Sequence, residues 1–154
     1  MRATGLLIGC TMLLAACSGE SGAPAASANQ LPDAPPPAAN STDTIDGTTL
    51  ARFTGDPVAG QRVFLQCQAC HRTEPGANGL GPTLHGIVGR AAGSVTGFNY
   101  SPANRSAGIV WTPEKLYQYL ENPRRVVPGT TMAFAGVGDG QRRADLIAYL
   151  ATLR

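Results

Sequence analysis

The sequence predicts an all-α fold, a small domain of about four to five helices joined by long loops. Three observations predict it. Four times a good capping residue is followed directly by proline, at Asp56-Pro57, Ser101-Pro102, Thr112-Pro113 and Asn122-Pro123. A cap side chain with proline at the first helical position marks a helix start. The C-terminal stretch carries Leu146, Ile147, Tyr149, Leu150 and Leu153, a broad apolar face at helical spacing. No segment alternates apolar and polar residues convincingly enough to read as a strand.

The chain opens with residues 1–16, Arg2 followed by an apolar run over 6–16. This reads as an export signal. The run is too short to span a bilayer, which takes ~20 apolar residues. Leu14-Ala15-Ala16-Cys17 resembles the bacterial lipobox, in which the cut falls before a cysteine that then receives lipid. Leu7-Ile8-Gly9-Cys10 fits the same loose pattern but leaves almost no hydrophobic region ahead of the cut, so Cys17 is the better choice. An ordinary secretory signal cut at a small residue is the competing reading. Lipid on Cys17 places the protein on the periplasmic side of a bacterial membrane, with the inner membrane favoured.

Residues 17–52 are rich in Ala, Pro, Ser, Thr and Asn and almost free of large apolar side chains. Such a stretch cannot bury enough surface to offset its ordering entropy, so it reads as a flexible tether. As a coil it would span roughly 30–35 Å. The folded domain is then residues 53–154. Its first helix is expected from 57 to about 67, with Gly60, Val63 and Phe64 inward. A short helix follows Ser101. The helix from Pro113 places Leu116, Tyr119 and Leu120 on one side, and Asn122-Pro123 opens a short successor. Asp139 caps the last helix, from about 140 to the C-terminus. Between 72 and 97 glycines are frequent and periodicity is absent, which predicts loops. A core of this size is marginal unless something else fills it.

Cys67-Gln68-Ala69-Cys70-His71 supplies that filler. Cys-x-x-Cys-His is the attachment signature of c-type haem. Two thiols one turn apart can each add across a different vinyl group of one porphyrin, and the next residue offers an imidazole to the iron. Redox dithiols and zinc sites use Cys-x-x-Cys without needing that histidine. The remaining cysteines, Cys10 and Cys17, belong to the N-terminal stretch, so no thiol is left for a disulfide. The fold is therefore expected to wrap one covalently attached haem. For the second axial position, Met1 and Met12 leave with the signal, so Met132 and His85 are the candidates.

Gly81-Pro82-Thr83-Leu84-His85-Gly86, Gly97-Phe98-Asn99-Tyr100, Tyr119-Leu120-Glu121-Asn122-Pro123 and Asp145-Leu146-Ile147-Ala148-Tyr149-Leu150 follow in order. With the haem signature they make residues 53–154 resemble a mitochondrial-type, class I cytochrome c, here in a membrane-anchored lipoprotein form. The resemblance implies the small cytochrome c fold, and His71 and Met132 as the two iron ligands. It implies that Pro82 offers its carbonyl to the free imidazole N–H, which raises ligand basicity. Arg90, Tyr100 and Trp111 are implied near the haem propionates. Asn104 would help to hold a buried water, Tyr119 and Thr130 would line the methionine side, and Phe134 would cover the haem edge. Gly60 and Phe64 would pack against the last helix. Thr131 stands where many family members carry lysine, so the family's alkaline exchange of methionine for lysine lacks its usual ligand.

Iron capped by His and Met has no vacancy for substrate. The expectation is an electron-transfer protein, not an enzyme, shuttling single electrons from a cytochrome bc-type complex to a terminal oxidase or similar acceptor. Two alternatives stay open: a haem peroxidase or gas-binding protein with an open sixth site, and a fixed electron-transfer subunit of a larger oxidoreductase. Residues 53–154 hold ten Lys and Arg against six Asp and Glu, an excess of four. That excess suits acidic patches on redox partners and is too weak for nucleic acid. Nine of those ten are arginine and one is Lys115. Arg124 and Arg125 are candidate docking positions. A monomer is expected.

Overall fold

The structure, a computed structural model, describes residues 35–154. The export signal, Cys10, Cys17 and the tether as far as residue 34 lie outside the described residues. Among the described residues five helices follow in order: α1 Pro57–Phe64, α2 Pro102–Arg105, α3 Pro113–Glu121, α4 Pro123–Val126 and α5 Gly140–Leu150. A 3-10 turn, Leu50–Arg52, precedes them. Among the described residues the β structure is one isolated bridge between Ala91 and Val110.

Each helix begins where its cap residue stands. Asp56 accepts from Val58 N at 2.8 Å, and Ser101 accepts from Asn104 N at 3.2 Å. Thr112 accepts from Lys115 N at 3.1 Å, Asn122 from Arg125 N at 3.1 Å, and Asp139 from Arg142 N at 2.8 Å. These side chains satisfy amides that have no partner within the helix. α1 ends at Phe64, earlier than periodicity suggested. Beyond it the chain tightens into turns, with Cys67 N donating to Phe64 O and Cys70 N to Cys67 O. Phe64 O and Cys67 O each also accept from the next amide, Gln68 N and His71 N, so the α pattern breaks into separate mixed turns.

The main helix contact is α1 on α5. Gly60 makes it possible, because a Cβ there would collide with the Asp145 carbonyl and lie 2.8 Å from the Tyr149 Cβ. Phe64 then meets Tyr149 with ring centroids 5.1 Å apart. α3 packs against both α5 and α4. Leu116, Leu120, Leu146, Ile147 and Leu150 form the centre of the core.

The tether expectation needs correcting over residues 38–52, which lie hydrogen-bonded along α3, α4 and α5. Lys115 Nζ donates to Ala38 O at 3.2 Å and Ser41 O at 2.8 Å. Gln118 Nε2 donates to Asp43 O at 2.8 Å, and Glu121 accepts from Ile45 N and Asp46 N. Arg143 pairs with Asp46 at 2.6 Å, while Phe53 and Tyr117 meet at 6.1 Å. The stretch is held mainly by polar groups of the helices, with Leu50 its one large apolar side chain packed on the core, so hydrophobicity gave little sign of it. Lys115 and Arg143 are consequently 2% and 0% exposed. Two of the ten charges counted toward partner steering are spent inside the molecule.

Candidate cofactor site

One cavity of about 390 Å³ opens between the helices and the 72–100 loops. All twelve residues singled out from the sequence line it: Cys67, Cys70, His71, Pro82, Arg90, Tyr100, Asn104, Trp111, Tyr119, Thr130, Met132 and Phe134. His85, the other candidate for the second axial position, is not among the lining residues. Its amide instead donates to Thr83 Oγ1, and its carbonyl accepts from Arg90.

The thiols and the imidazole come from the tightened turn after α1, where His71 N donates to Cys67 O at 2.9 Å. Both cysteines are free. Burial first, and neighbouring Cys70 second, push the Cys67 thiol up to about 11. His71 Nδ1 lies 2.7 Å from the Pro82 carbonyl. With Nδ1–H as donor, Nε2 is the nitrogen left to ligate. Burial lowers the His71 pKa, partly opposed by the Pro82 hydrogen bond and assisted by Arg90, so the ring is held toward the neutral form that metals require. Gly81 lies flat against the ring, and a Cβ there would stand 2.7 Å from Nδ1.

A short polar network shapes the loop behind the histidine. Asn78 accepts from Thr83 N and donates to Thr96 O. Buried Thr83 donates to Glu74 O at 2.7 Å. Arg90 donates to Thr83 O and His85 O, each at 2.8 Å. Its terminal nitrogens are thus engaged with backbone at the cavity wall. Asn78 and Thr83 carried no sign of this in the sequence beyond their place among the glycines.

Met132 reaches the same cavity from the loop between α4 and α5. Thr130 Oγ1 accepts from Met132 N at 3.3 Å, and the Tyr119 hydroxyl donates toward the thioether sulfur at 3.8 Å. Burial pushes the Tyr119 phenol up to about 12, against a lowering contribution from Thr130, so the hydroxyl stays a donor. Trp111 supports Tyr119 with ring centroids 4.6 Å apart. Tyr100 meets Phe98 edge-on at 4.8 Å. Much of the remaining wall is apolar, including Phe64, Leu84, Ile87, Leu116, Leu120, Leu146 and Leu150, with Gln66, Ser101 and Thr131 among its polar members. The donor set and the largely apolar walls fit a haem: two free thiols and an imidazole held toward its neutral form from one turn, and a thioether from a distant loop.

Comparisons with known proteins follow the same limits. The family model described as Cytochrome c matches residues 57–154. Cytochrome c2 of Rhodopila globiformis is 52% identical over 101 residues, covering 65% of this chain and 95% of that protein. Cytochrome c2 of Rhodomicrobium vannielii is 52% identical over 103 residues, 66% of this chain and 82% of that protein. The solved structure of cytochrome cH from Methylobacterium extorquens superposes with a TM-score of 0.61 at 44% identity, covering 64% of this chain and 99% of that one.

Proposed function

The chain belongs to the cytochrome c family, and on that premise we propose that it is a one-electron carrier between membrane respiratory complexes. The family binds covalent haem c and consists of electron-transfer proteins, not enzymes. The observation that carries the finer reading is a single cavity lined at once by Cys67, Cys70, His71 and Met132.

When bound, haem c supplies an iron that gains and loses one electron. The protein's part is to hold and shield it. Cys67 and Cys70 are the residues to bond the porphyrin, and His71 and Met132 are the ligands. Pro82 fixes the imidazole plane and strengthens it as a donor. Tyr119 holds the thioether and Thr130 the backbone amide of Met132. Leu116, Leu120, Leu146 and Leu150 exclude water from the interior, while half-buried Phe134 covers the edge. With His71 and Met132 both held by the fold, little of the protein around the site would have to rearrange when an electron moves. Donor and acceptor are a cytochrome bc-type complex and a terminal oxidase or similar acceptor, met as a monomer through an arginine-bearing surface.

Lipid on Cys17 holds the domain at the periplasmic side of the inner membrane. Two or more acyl chains give stable anchoring, and tethering at the membrane raises the effective concentration of membrane partners. The lipobox-like run Leu14-Ala15-Ala16-Cys17 supports this part.

Optical spectra of the oxidised and reduced holoprotein test the centre. The expected result is a c-type spectrum with a methionine–iron charge-transfer band and slow reaction with carbon monoxide. Fast carbon monoxide binding to a resting centre would favour the open-site alternative. Labelling with radioactive palmitate tests the anchor, and label surviving in Cys17→Ala would refute it.

A further inference from the structure

Met132 sits in the connection between α4 and α5, which has no regular structure of its own over residues 127–139. Besides the Tyr119 and Thr130 contacts at Met132 itself, the firmness of such a segment depends on how its ends are held. At its upstream end Arg125 of α4 donates from both terminal nitrogens to Asp43 O, 3.1 Å each. At its downstream end Arg143 Nη1 donates to Val137 O and Gly138 O, both at 2.9 Å. Arg143 Nη2 turns the other way, to Asp46 Oδ2 at 2.6 Å and Thr48 Oγ1 at 3.2 Å. A single stretch, residues 43–48, therefore grips the anchors of both ends.

The gap between the two grips is closed by α3. Glu121 accepts from Ile45 N at 2.6 Å and Asp46 N at 2.9 Å. Val137 N donates to Leu120 O at 2.7 Å. Gly136, at φ 108°, runs so close to α3 that a Cβ would collide with the Glu121 carbonyl. The gripping stretch lies outside residues 57–154, the part matched by the family. It reaches the loop that carries the thioether through Arg125 and Arg143.

We propose that residues 43–48 clamp the two ends of the Met132 loop, and that Asp46, acting through Arg143, is a positioning residue that sets how tightly the thioether is held in the haem site. The inference rests on Met132 being an iron ligand. Loosening either grip lets the loop open, and an external ligand then takes the vacated position more readily. Asp46 makes the charged contact, so its loss weighs more than the loss of the Arg125 contact to a neutral carbonyl.

The test uses full-chain ferric holoprotein with imidazole as the competing ligand, followed by loss of the methionine–iron band. Asp46→Ala is expected to speed displacement about tenfold, the equivalent of ~1.4 kcal/mol. Asp46→Asn keeps an acceptor for Arg143 and is expected to recover part of the wild-type rate. Arg125→Gln severs the upstream grip at a less buried position and is expected to act in the same direction, about threefold. Val63→Ala trims a buried side chain of α1, outside residues 127–139 and the 43–48 stretch, and it separates clamping from general destabilisation. Matched for loss of thermal stability, it is expected to leave the rate within about twofold of wild type. Unchanged rates in Asp46→Ala and Arg125→Gln overturn the clamp, as does equal acceleration by Val63→Ala. A wild-type holoprotein lacking the band altogether would overturn the ligand assignment, and the inference with it.

Discussion

Gly60→Ala sets two opposing effects against each other, and the geometry decides the sign. Alanine is the better helix former, by ~1 kcal/mol over glycine in a helix interior. On that ground alone the substitution in α1 would stabilise. The new methyl, however, would collide with the Asp145 carbonyl oxygen and lie 2.6 Å from its carbon and 2.8 Å from the Tyr149 Cβ. Two of these neighbours are α5 backbone, which cannot rotate aside, so α1 and α5 must part. Overpacking of this kind costs about 1–3 kcal/mol, and backbone neighbours place the case at or beyond the upper end. The net expectation is a loss of about 2 kcal/mol. At about 4 °C per kcal/mol for a domain of this size, the Tm should fall by roughly 8 °C. Thermal unfolding of holoprotein, followed by far-ultraviolet circular dichroism, measures it. Gly138 has no atom within 4 Å of a built Cβ, so Gly138→Ala serves as a near-neutral control. An unchanged or raised Tm for Gly60→Ala would refute the close approach of the two helices.

Further predictions concern the site and its supports. Cys67→Ala and Cys70→Ala should each retain haem through one thioether after acid–acetone extraction, whereas the double variant should release it. Met132→Ala should lose the methionine–iron band and lower the reduction potential, since a thioether favours the reduced iron; an unaltered potential by electrochemistry would remove Met132 from the iron. Methionine ligation should survive to higher pH than in lysine-bearing relatives. Thr131 occupies the position beside the ligand, and the chain's single lysine, Lys115, is buried with Nζ bonded to Ala38, Ser41 and Gln118. Early loss of the band in an alkaline titration of wild type would contradict this, and Thr131→Lys should bring the loss to lower pH. Burial acts to raise the Asp46 pKa, but hydrogen bonds from Arg143 and Thr48 outweigh it and hold the carboxyl well below its usual 3.8. Its stabilising contribution is therefore full above about pH 5 and lost as pH falls below 3.8 toward the folded value. Asp46→Asn should show a flatter acid limb in urea unfolding across that window.

Local chemistry made much of the fold legible. The Asp, Ser, Thr and Asn caps stand at the helix starts because a cap bond and a preset proline φ act within four residues. The haem signature is local for the same reason: two vinyl groups and one iron dictate the spacing of Cys67, Cys70 and His71. The apolar faces of α3 and α5 followed from periodicity. Residues 38–52 were read as a tether because they carry few large apolar side chains, and hydrophobicity carries no record of hydrogen bonds accepted by backbone carbonyls. The same blindness let Lys115 and Arg143 count toward the charge excess offered to partners.

What the sequence determined by itself was therefore the set of contacts that close within a few residues: helix starts, the Cys-x-x-Cys-His turn and the apolar stripes. Only the tertiary structure decided which distant groups meet. It brought Met132 and the Cys67–His71 turn into one cavity and turned His85 away from it. It pressed Gly81 onto the imidazole, and it gave Arg143 to Asp46 across 97 positions of chain. Pairings of that kind depend on how closely the helices pack, and packing distance is set by all the buried side chains at once rather than by any short run of them.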